Sequence, residues 1–430
     1  MKNLLLSALL FLLAIRSDAQ ITPEISSWVI NTTGATGYNN LPSNVQTVQY
    51  SATQVYVSAS CIPGYSIGPW ASNPNVPTNQ NFVCKFTRAP VQNTGAPIYT
   101  PLGNTGLWSN GVAIFNPKDG QYWSGSAFTN GATTTGFNRN ALVYEGVSFD
   151  NCLGHPAPNG AYHNHVNPSC LYNSTLTTVH SPIIGYAFDG FPVYGAYAYT
   201  NTNGTGAIKR MMSSYLLAAD TGLVLTGANA ATAASSPSTP TTRTGGPPVN
   251  STYPLGNMCD DYIYTAGSGD LDDHNGRFCV TPEYPSGTYA YFVTLDATGN
   301  PAYPFVIGPT YYGTVQAGNT GPGGSHVTIT ESTTVYTPSA GVNEISNDKI
   351  RYQVIPNPAQ NFVFIYMDKS SKNNVNAKLF DSEGKQVRSI DFLQPSLAYT
   401  LDLTDLPAGI YLLVLDADQQ RSTCKIIKQN

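Results

Sequence analysis

Charge is scarce in this chain: only 10% of its 430 residues are Asp, Glu, Lys or Arg, against roughly a quarter in ordinary soluble proteins. A coiled coil or a long helical bundle needs Glu, Lys and Arg at high density, so both are excluded. No block of lysines and arginines occurs, and the net charge is -5. The basic footprint that neutralises a phosphate backbone is missing, and no nucleic-acid partner is expected. Beyond the N-terminus no apolar run reaches the ~20 residues that cross a bilayer, so the mature chain is expected to have no transmembrane segment. Walker and dinucleotide-glycine patterns are absent, and Ser148, Ser181 and Ser286 have no G-x-S-x-G setting, which leaves nucleotide and serine-hydrolase chemistry without support.

What takes the place of charge is turn and strand composition: 39 Gly, 31 Pro and 28 Tyr. Glycine and proline punctuate the chain, while tyrosine and β-branched residues suit a pleated, half-buried surface. The expected class is all-β, with at most one or two short helices. Strands are predicted near 54–58, 111–115, 288–295 and 410–415, each rich in β-branched or aromatic residues and bounded by Gly, Pro or Asn. One helix is predicted over 208–219, where Met211, Met212, Tyr215, Leu216 and Ala219 recur at helical spacing.

Residues 1–20, MKNLLLSALLFLLAIRSDAQ, place Lys2 ahead of an apolar stretch that ends before Arg16. This is the pattern of a signal peptide, with cleavage expected after Ala19 or Gln20. Export carries the seven cysteines into an oxidising compartment, where pairing is expected. Nearest-neighbour pairing would join Cys61 to Cys84, Cys152 to Cys170 and Cys259 to Cys279, and leave Cys424 alone. Six cysteines allow fifteen connectivities, so this arrangement is an expectation rather than a deduction.

Charge density rises abruptly near Arg351, and a domain boundary is expected there. A β domain is expected over 21–315, a Gly/Ser/Thr-rich flexible linker over 316–350, and a small separate unit over 351–430. Inside the large domain, 226–252 is a low-complexity stretch with too little apolar surface to order itself, and it is read as an inserted loop. The C-terminal unit carries hairpin signals: turn residues Asp381 to Lys385 between alternating strands, and Leu406-Pro407-Ala408-Gly409 leading into another strand. A small antiparallel sandwich follows, so the full expectation is an irregular antiparallel β domain followed by this sandwich.

The start Pro356-Asn357-Pro358, the hairpin at 379–385, the turn at 406–411 and the Lys425 to Lys428 end together resemble the type A C-terminal sorting domain of the type IX secretion system of Bacteroidetes-type bacteria. The resemblance implies an Ig-like β-sandwich and recognition of 351–430 by the type IX machinery. It also implies passage through the periplasm to a secreted or outer-membrane cell-surface destination.

The strongest chemical signal is a crowd of histidines. His155, His163, His165 and His180 are four of the six in the chain and fall within 26 positions. His163 and His165 are two apart, so on a strand both imidazoles project from one face while Tyr162 and Asn164 face the other way. His155 and His180 would complete a site if the chain folds back, and a Cys152–Cys170 bond would staple that fold. Neutral imidazoles suit transition metals and make calcium or magnesium poor candidates; copper or zinc is expected. Asp150, Asp189 and Glu283 are candidate helpers that could orient an imidazole or act as a base. The acidic run Asp270 to Asn275 before Gly276 lacks the spacing of an EF-hand and reads as a turn.

Around these histidines the chain resembles the YHYH family of secreted proteins, with Tyr162-His163-Asn164-His165 in place of the Tyr-His-Tyr-His motif. IPGYSIGP at 62–69, SNGVAIFNP at 109–117, HSPIIGYAFDGFPVYG at 180–195 and the segment 269–294 extend the resemblance over 28–313. It lends no reaction, so enzyme activity stays open at this point. One reading is a metal-dependent enzyme, either a copper oxidoreductase or a zinc hydrolase. The other is a noncatalytic surface protein that binds metal, or binds a cell-surface glycan or small molecule through its tyrosines, with structural histidines.

Overall fold

The computed structural model describes residues 21–218, 223–227, 230–233, 243–321, 324–338, 352–367, 374–393, 396, 398–417 and 420–429. The expected signal peptide lies outside them, as do 228–229 and 234–242 of the expected insertion and 322–323 and 339–350 of the expected linker. Among the described residues the helices Pro23–Ser26 and Ala141–Tyr144 are four residues each, and the regular structure is otherwise almost all strand and short 3-10 turns. The chain is all-β, as its composition requires.

The large unit is built on an eight-stranded sheet. Its spatial order is His155–Pro156, Tyr162–Asn164, Ala113–Phe115, Asn104–Trp108, Ile183–Ala187, Pro192–Tyr194, Thr288–Phe292 and Gly276–Cys279. Ile183–Ala187 and Thr288–Phe292 are buried at every position, which is why they read as unbroken apolar runs rather than alternating ones. Two neighbours pair in parallel: Tyr162–Asn164 with Ala113–Phe115, and Pro192–Tyr194 with Thr288–Phe292. At the centre the backbones approach closely, and a Cβ at Gly185 would stand 2.5 Å from the Leu107 carbonyl oxygen. A second sheet of Thr334–Val335, Val45–Tyr50, Gln54–Ala59 and Phe82–Thr87 completes the frame. Trp28, Phe86, Tyr186 and Phe188 pack against one another in the core, with ring centroids 5.3–6.1 Å apart.

Three expectations need correction. The helix over 208–219 does not form: Ile208–Arg210 pairs with Tyr197–Tyr199, and Tyr215–Leu217 pairs with Tyr262–Tyr264. Its apolar spacing serves two short strands with a bend at Ser214 between them, and tyrosine ladders outweigh the weak local preference. The linker does not begin at 316. Thr334–Val335 adds a strand to Val45–Tyr50, and Asn319 clamps Lys85 by accepting its N–H and donating to its carbonyl. Of the three expected disulfides only Cys152–Cys170 is present; Cys61, Cys84, Cys259 and Cys279 are buried free thiols. Cys61 donates to the Tyr162 carbonyl, 3.0 Å away, whereas Cys259 and Cys279 sit on separate elements, a 3-10 turn and an edge strand. Burial pushes the Cys61 and Cys84 thiols up to about 12, so they remain protonated core residues.

The C-terminal unit is a two-sheet sandwich of the immunoglobulin kind. Tyr352–Ile355, Phe362–Met367 and Ala398–Asp402 form one sheet; Gln386–Phe392, Val375–Phe380, Gly409–Ala417 and Gln420–Lys428 form the other. Val363, Ile365, Leu379, Leu401 and Leu413 fill the space between them. Asn357 joins the start of this unit to its last strand: its amide donates to the Lys425 carbonyl at 2.6 Å and accepts from the Ile427 N–H at 2.9 Å.

The thiol assignment has a direct consequence. Alkylation of the unfolded, unreduced protein should label five cysteines, with Cys152 and Cys170 labelled only after reduction. Nearest-neighbour pairing would leave one reactive thiol, and peptide mass mapping separates the two outcomes.

Candidate metal centre

The histidines are set by a tight hairpin. His155–Pro156 runs antiparallel to Tyr162–Asn164, with His155 opposite His163. Gly160, at φ +81°, turns the connecting loop. Alternation along the second strand sends His163 and His165 to one side and Tyr162 and Asn164 to the other. The far side is tied down: the Tyr162 hydroxyl donates to Asp150, and the Asn164 amide donates to the Cys152 and Leu153 carbonyls. Gly154 is required there, because a Cβ would meet the Tyr162 hydroxyl at 2.4 Å. The Cys152–Cys170 bond closes the same segment.

The ring orientations follow from their Nδ1 partners. His163 Nδ1 lies 3.0 Å from the Ala161 carbonyl, and His165 Nδ1 lies 2.5 Å from the Asn116 carbonyl. A carbonyl only accepts, so both rings carry their proton on Nδ1. His155 Nδ1 is 2.7 Å from the Ser148 hydroxyl, which itself donates to the Glu145 carbonyl. That leaves the Ser148 oxygen as an acceptor, and the third ring takes the same tautomer. All three Nε2 lone pairs are therefore free, and the ligand atoms of the three rings lie within 4.8 Å of one another.

His163 Nε2 and His165 Nε2 are 3.1 Å apart, and the Glu145 carboxylate is 3.1 Å from His165 Nε2 and 3.7 Å from His155 Nε2. Four acceptors thus meet with no donor between them. Burial lowers His155 to about 4, and His163 lies well below the ordinary histidine value from burial and its two neighbouring rings. Those two rings are therefore neutral at neutral pH. His155 Nε2 and Glu145 Oε2 are buried without a hydrogen-bond partner, and each such acceptor costs about 1–3 kcal/mol. A shared cation removes that cost. Nitrogen ligands at 2.0–2.1 Å around a tetrahedral ion stand roughly 3.3 Å apart, close to the 3.1 Å between His163 Nε2 and His165 Nε2. Phe115 stacks on His163 at 3.7 Å between centroids and braces the ring. The site forms one wall of a cleft of about 420 Å³ that also meets Asn73, Lys118 and Tyr144.

The structure brings together three of the four expected ligands. His180 lies elsewhere, its ring against Tyr194 and Tyr199 and its Nδ1 donating to the Ser181 carbonyl. The three expected helpers share a different role: each accepts a buried tyrosine hydroxyl. Asp150 takes Tyr162, Asp189 takes Tyr291 and Glu283 takes Tyr194. Burial raises Asp189 to about 6 and Glu283 to about 7. Of these only Asp150 touches the site's surroundings, holding Gly68, Trp70, Cys152 and Gly154 as well as Tyr162. The carboxylate at the histidines is Glu145, which sequence reasoning missed. It caps the helix Ala141–Tyr144, and its only sequence signal is proximity, ten positions before His155.

Burial lowers His180 to about 4. Its unfolded counterpart binds a proton below about 6.5, so its contribution to stability is present at neutral pH and is lost as pH falls toward 4. His180→Asn keeps a donor for Ser181 and should flatten the fall in unfolding free energy between about pH 7 and about pH 4.5 by up to ~3 kcal/mol. Urea melts at the two pH values measure it; an unchanged slope contradicts the assignment.

Residues 353–429 match the secretion system C-terminal sorting domain, which marks the protein as an exported type IX cargo, secreted or attached to the cell surface. No curated protein matches the chain. Among solved structures, a DUF3244 family protein with an immunoglobulin-like β-sandwich fold from Bacteroides vulgatus is similar at 17% identity and a TM-score of 0.18, over 20% of this chain and 93% of that one. Dimeric latent PorU from Porphyromonas gingivalis is similar at 20% identity and a TM-score of 0.15, over 20% of this chain and 10% of that one. Residues 83–303, half of the chain and all of the histidine hairpin, match the YHYH protein family, and the chain belongs to that family.

Proposed function

We propose that this protein is an exported metalloprotein that holds one zinc ion on His155, His163 and His165 and uses it for hydrolysis in the adjoining cleft. The observation that carries the proposal is the convergence of three Nε2 lone pairs and the Glu145 carboxylate with no hydrogen-bond donor among them. Imidazole nitrogen suits zinc and copper alike. No cysteine joins the group and neither Cys nor Met lines the cleft, and three protein ligands with a further position facing a cleft is the pattern of catalytic zinc.

The ion supplies Lewis acidity. The chain does the rest. Ala161, Asn116 and Ser148 hold the rings in the Nδ1–H tautomer, which keeps their ligand atoms free and raises their basicity. Phe115 and Phe149 exclude water from the back of the rings. Glu145 keeps a partly exposed carboxylate, 29% accessible, at the cleft wall, where it accepts a proton from an attacking water.

The full-length protein should contain about one equivalent of zinc, or copper if loaded with it, by mass spectrometry of the metal. His163→Ala with His165→Ala should abolish uptake and leave the β circular dichroism intact, while His180→Ala should keep the ion. Glu145→Gln should retain the metal and lose roughly 10²–10⁴-fold in hydrolytic rate. Stoichiometric metal in the double variant would sink the site assignment. Loss of the ion from Glu145→Gln would make Glu145 a fourth ligand and the site a closed, noncatalytic one.

A further inference from the structure

The two outer faces of the C-terminal sandwich differ. On one sheet the outward residues Phe364, Tyr366 and Ala398 are buried with Ile355, and Val29 of the large unit packs against them. On the other sheet the outward positions of Gly409–Ala417 begin with Ile410, which is 55% exposed, and Leu412, which is 45% exposed. Leu412 stands between Phe380 on one neighbouring strand and Lys425 on the other, and Ile410 stands opposite Ile427. An apolar surface thus runs across three strands, beside a cleft of about 630 Å³. The solvent face of an antiparallel sheet is normally polar. A contiguous apolar one marks an interaction surface.

We propose that this face is where the sorting domain docks on a protein of the secretion machinery, and that the docking surface there is apolar with an acidic rim. The proposal stands on the sorting-domain match and the exposed face, and is independent of the metal centre. The charges select this occupant over a second copy of the chain. Lys425 lies beside Leu412 on the outermost strand of the face, Lys378 and Arg421 share the carboxylate of Asp416 at one end, and Asp381 borders the cleft. Two copies meeting face to face would bring Lys378, Arg421 and Lys425 of one against the same three of the other, outnumbering Asp381 and Asp416, and like charges disfavour that contact. An acidic rim is the complement. A face left open in the free protein also suits a partner that releases its cargo.

The test replaces Ile410→Thr and Leu412→Thr together in the full chain, expressed with its secretion system. Threonine keeps the strand preference and removes the apolar contact. The expected result is an unchanged thermal midpoint and a fall of about tenfold or more in the exported fraction, with folded protein accumulating in the periplasm. Lys425→Glu, which alters one exposed head group, should lower export in the same direction and decides the matter if the double variant fails to fold. Normal export of both variants overturns the proposal. So does a parent that sediments as a dimer, is made monomeric by the double variant, and is exported equally well in both forms, since that result gives the face to a second copy.

Discussion

Three imidazoles aimed at one point are the constraint around which the large unit is arranged. Each ring is held by an acceptor on its Nδ1 side, so its free lone pair has one direction to face. Those acceptors come from separate parts of the chain: Ala161 in the hairpin loop, Asn116 after a strand of the main sheet, and Ser148 after the short helix. The sheet order that sets Tyr162–Asn164 beside Ala113–Phe115 is therefore also what brings Asn116 to His165 and Phe115 to His163. The helix Ala141–Tyr144 delivers Glu145 from outside the sheet.

Behind the histidines the fold handles polarity by a different rule. The chain has few charges, and several that are buried are spent on tyrosines. Tyr162, Tyr194, Tyr289 and Tyr291 are buried large side chains whose hydroxyls need acceptors. Asp150, Glu283, Asp272 and Asp189 supply them. A carboxylate that accepts a phenol hydrogen bond also accepts nearby backbone N–H groups, so each pair ties strands to loops. Asp189 joins Tyr291 to Gly313 in this way, and Asp150 joins the 62–69 loop to the histidine hairpin. Asp150, Asp189 and Glu283, the expected helpers of the histidines, each hold a tyrosine hydroxyl instead.

Some of the local reading failed for identifiable physical reasons. Apolar residues at three- and four-residue spacing over 208–219 also satisfy two short strands separated by a bend, and strand partners at 197–199 and 262–264 are far away in sequence. Cysteine proximity in sequence says little about Cβ geometry: Val57 opposes Cys84 in the ladder, while Cys61 has already turned away toward Tyr162. Thr334 and Val335 lie in a Gly/Ser/Thr-rich stretch and are exposed, so nothing apolar announced that they add a strand to the sheet.

The sequence by itself determined what depends on composition and on neighbours in the chain. Low charge with abundant Gly, Pro and Tyr leaves only turn-rich β structure. The period of two places His163 and His165 on one face. The landmarks of the sorting domain lie within single hairpins and turns. Tertiary structure alone decided which distant groups share a point in space. It removed His180 from the cluster, because that ring is enclosed by Tyr194 and Tyr199. It brought Glu145 to the site and assigned Asp189 and Glu283 to tyrosines. The physical reason is that ligand convergence and buried hydrogen bonding depend on where strands cross in space, and strand partners are chosen by packing over the whole sheet rather than by spacing along the chain.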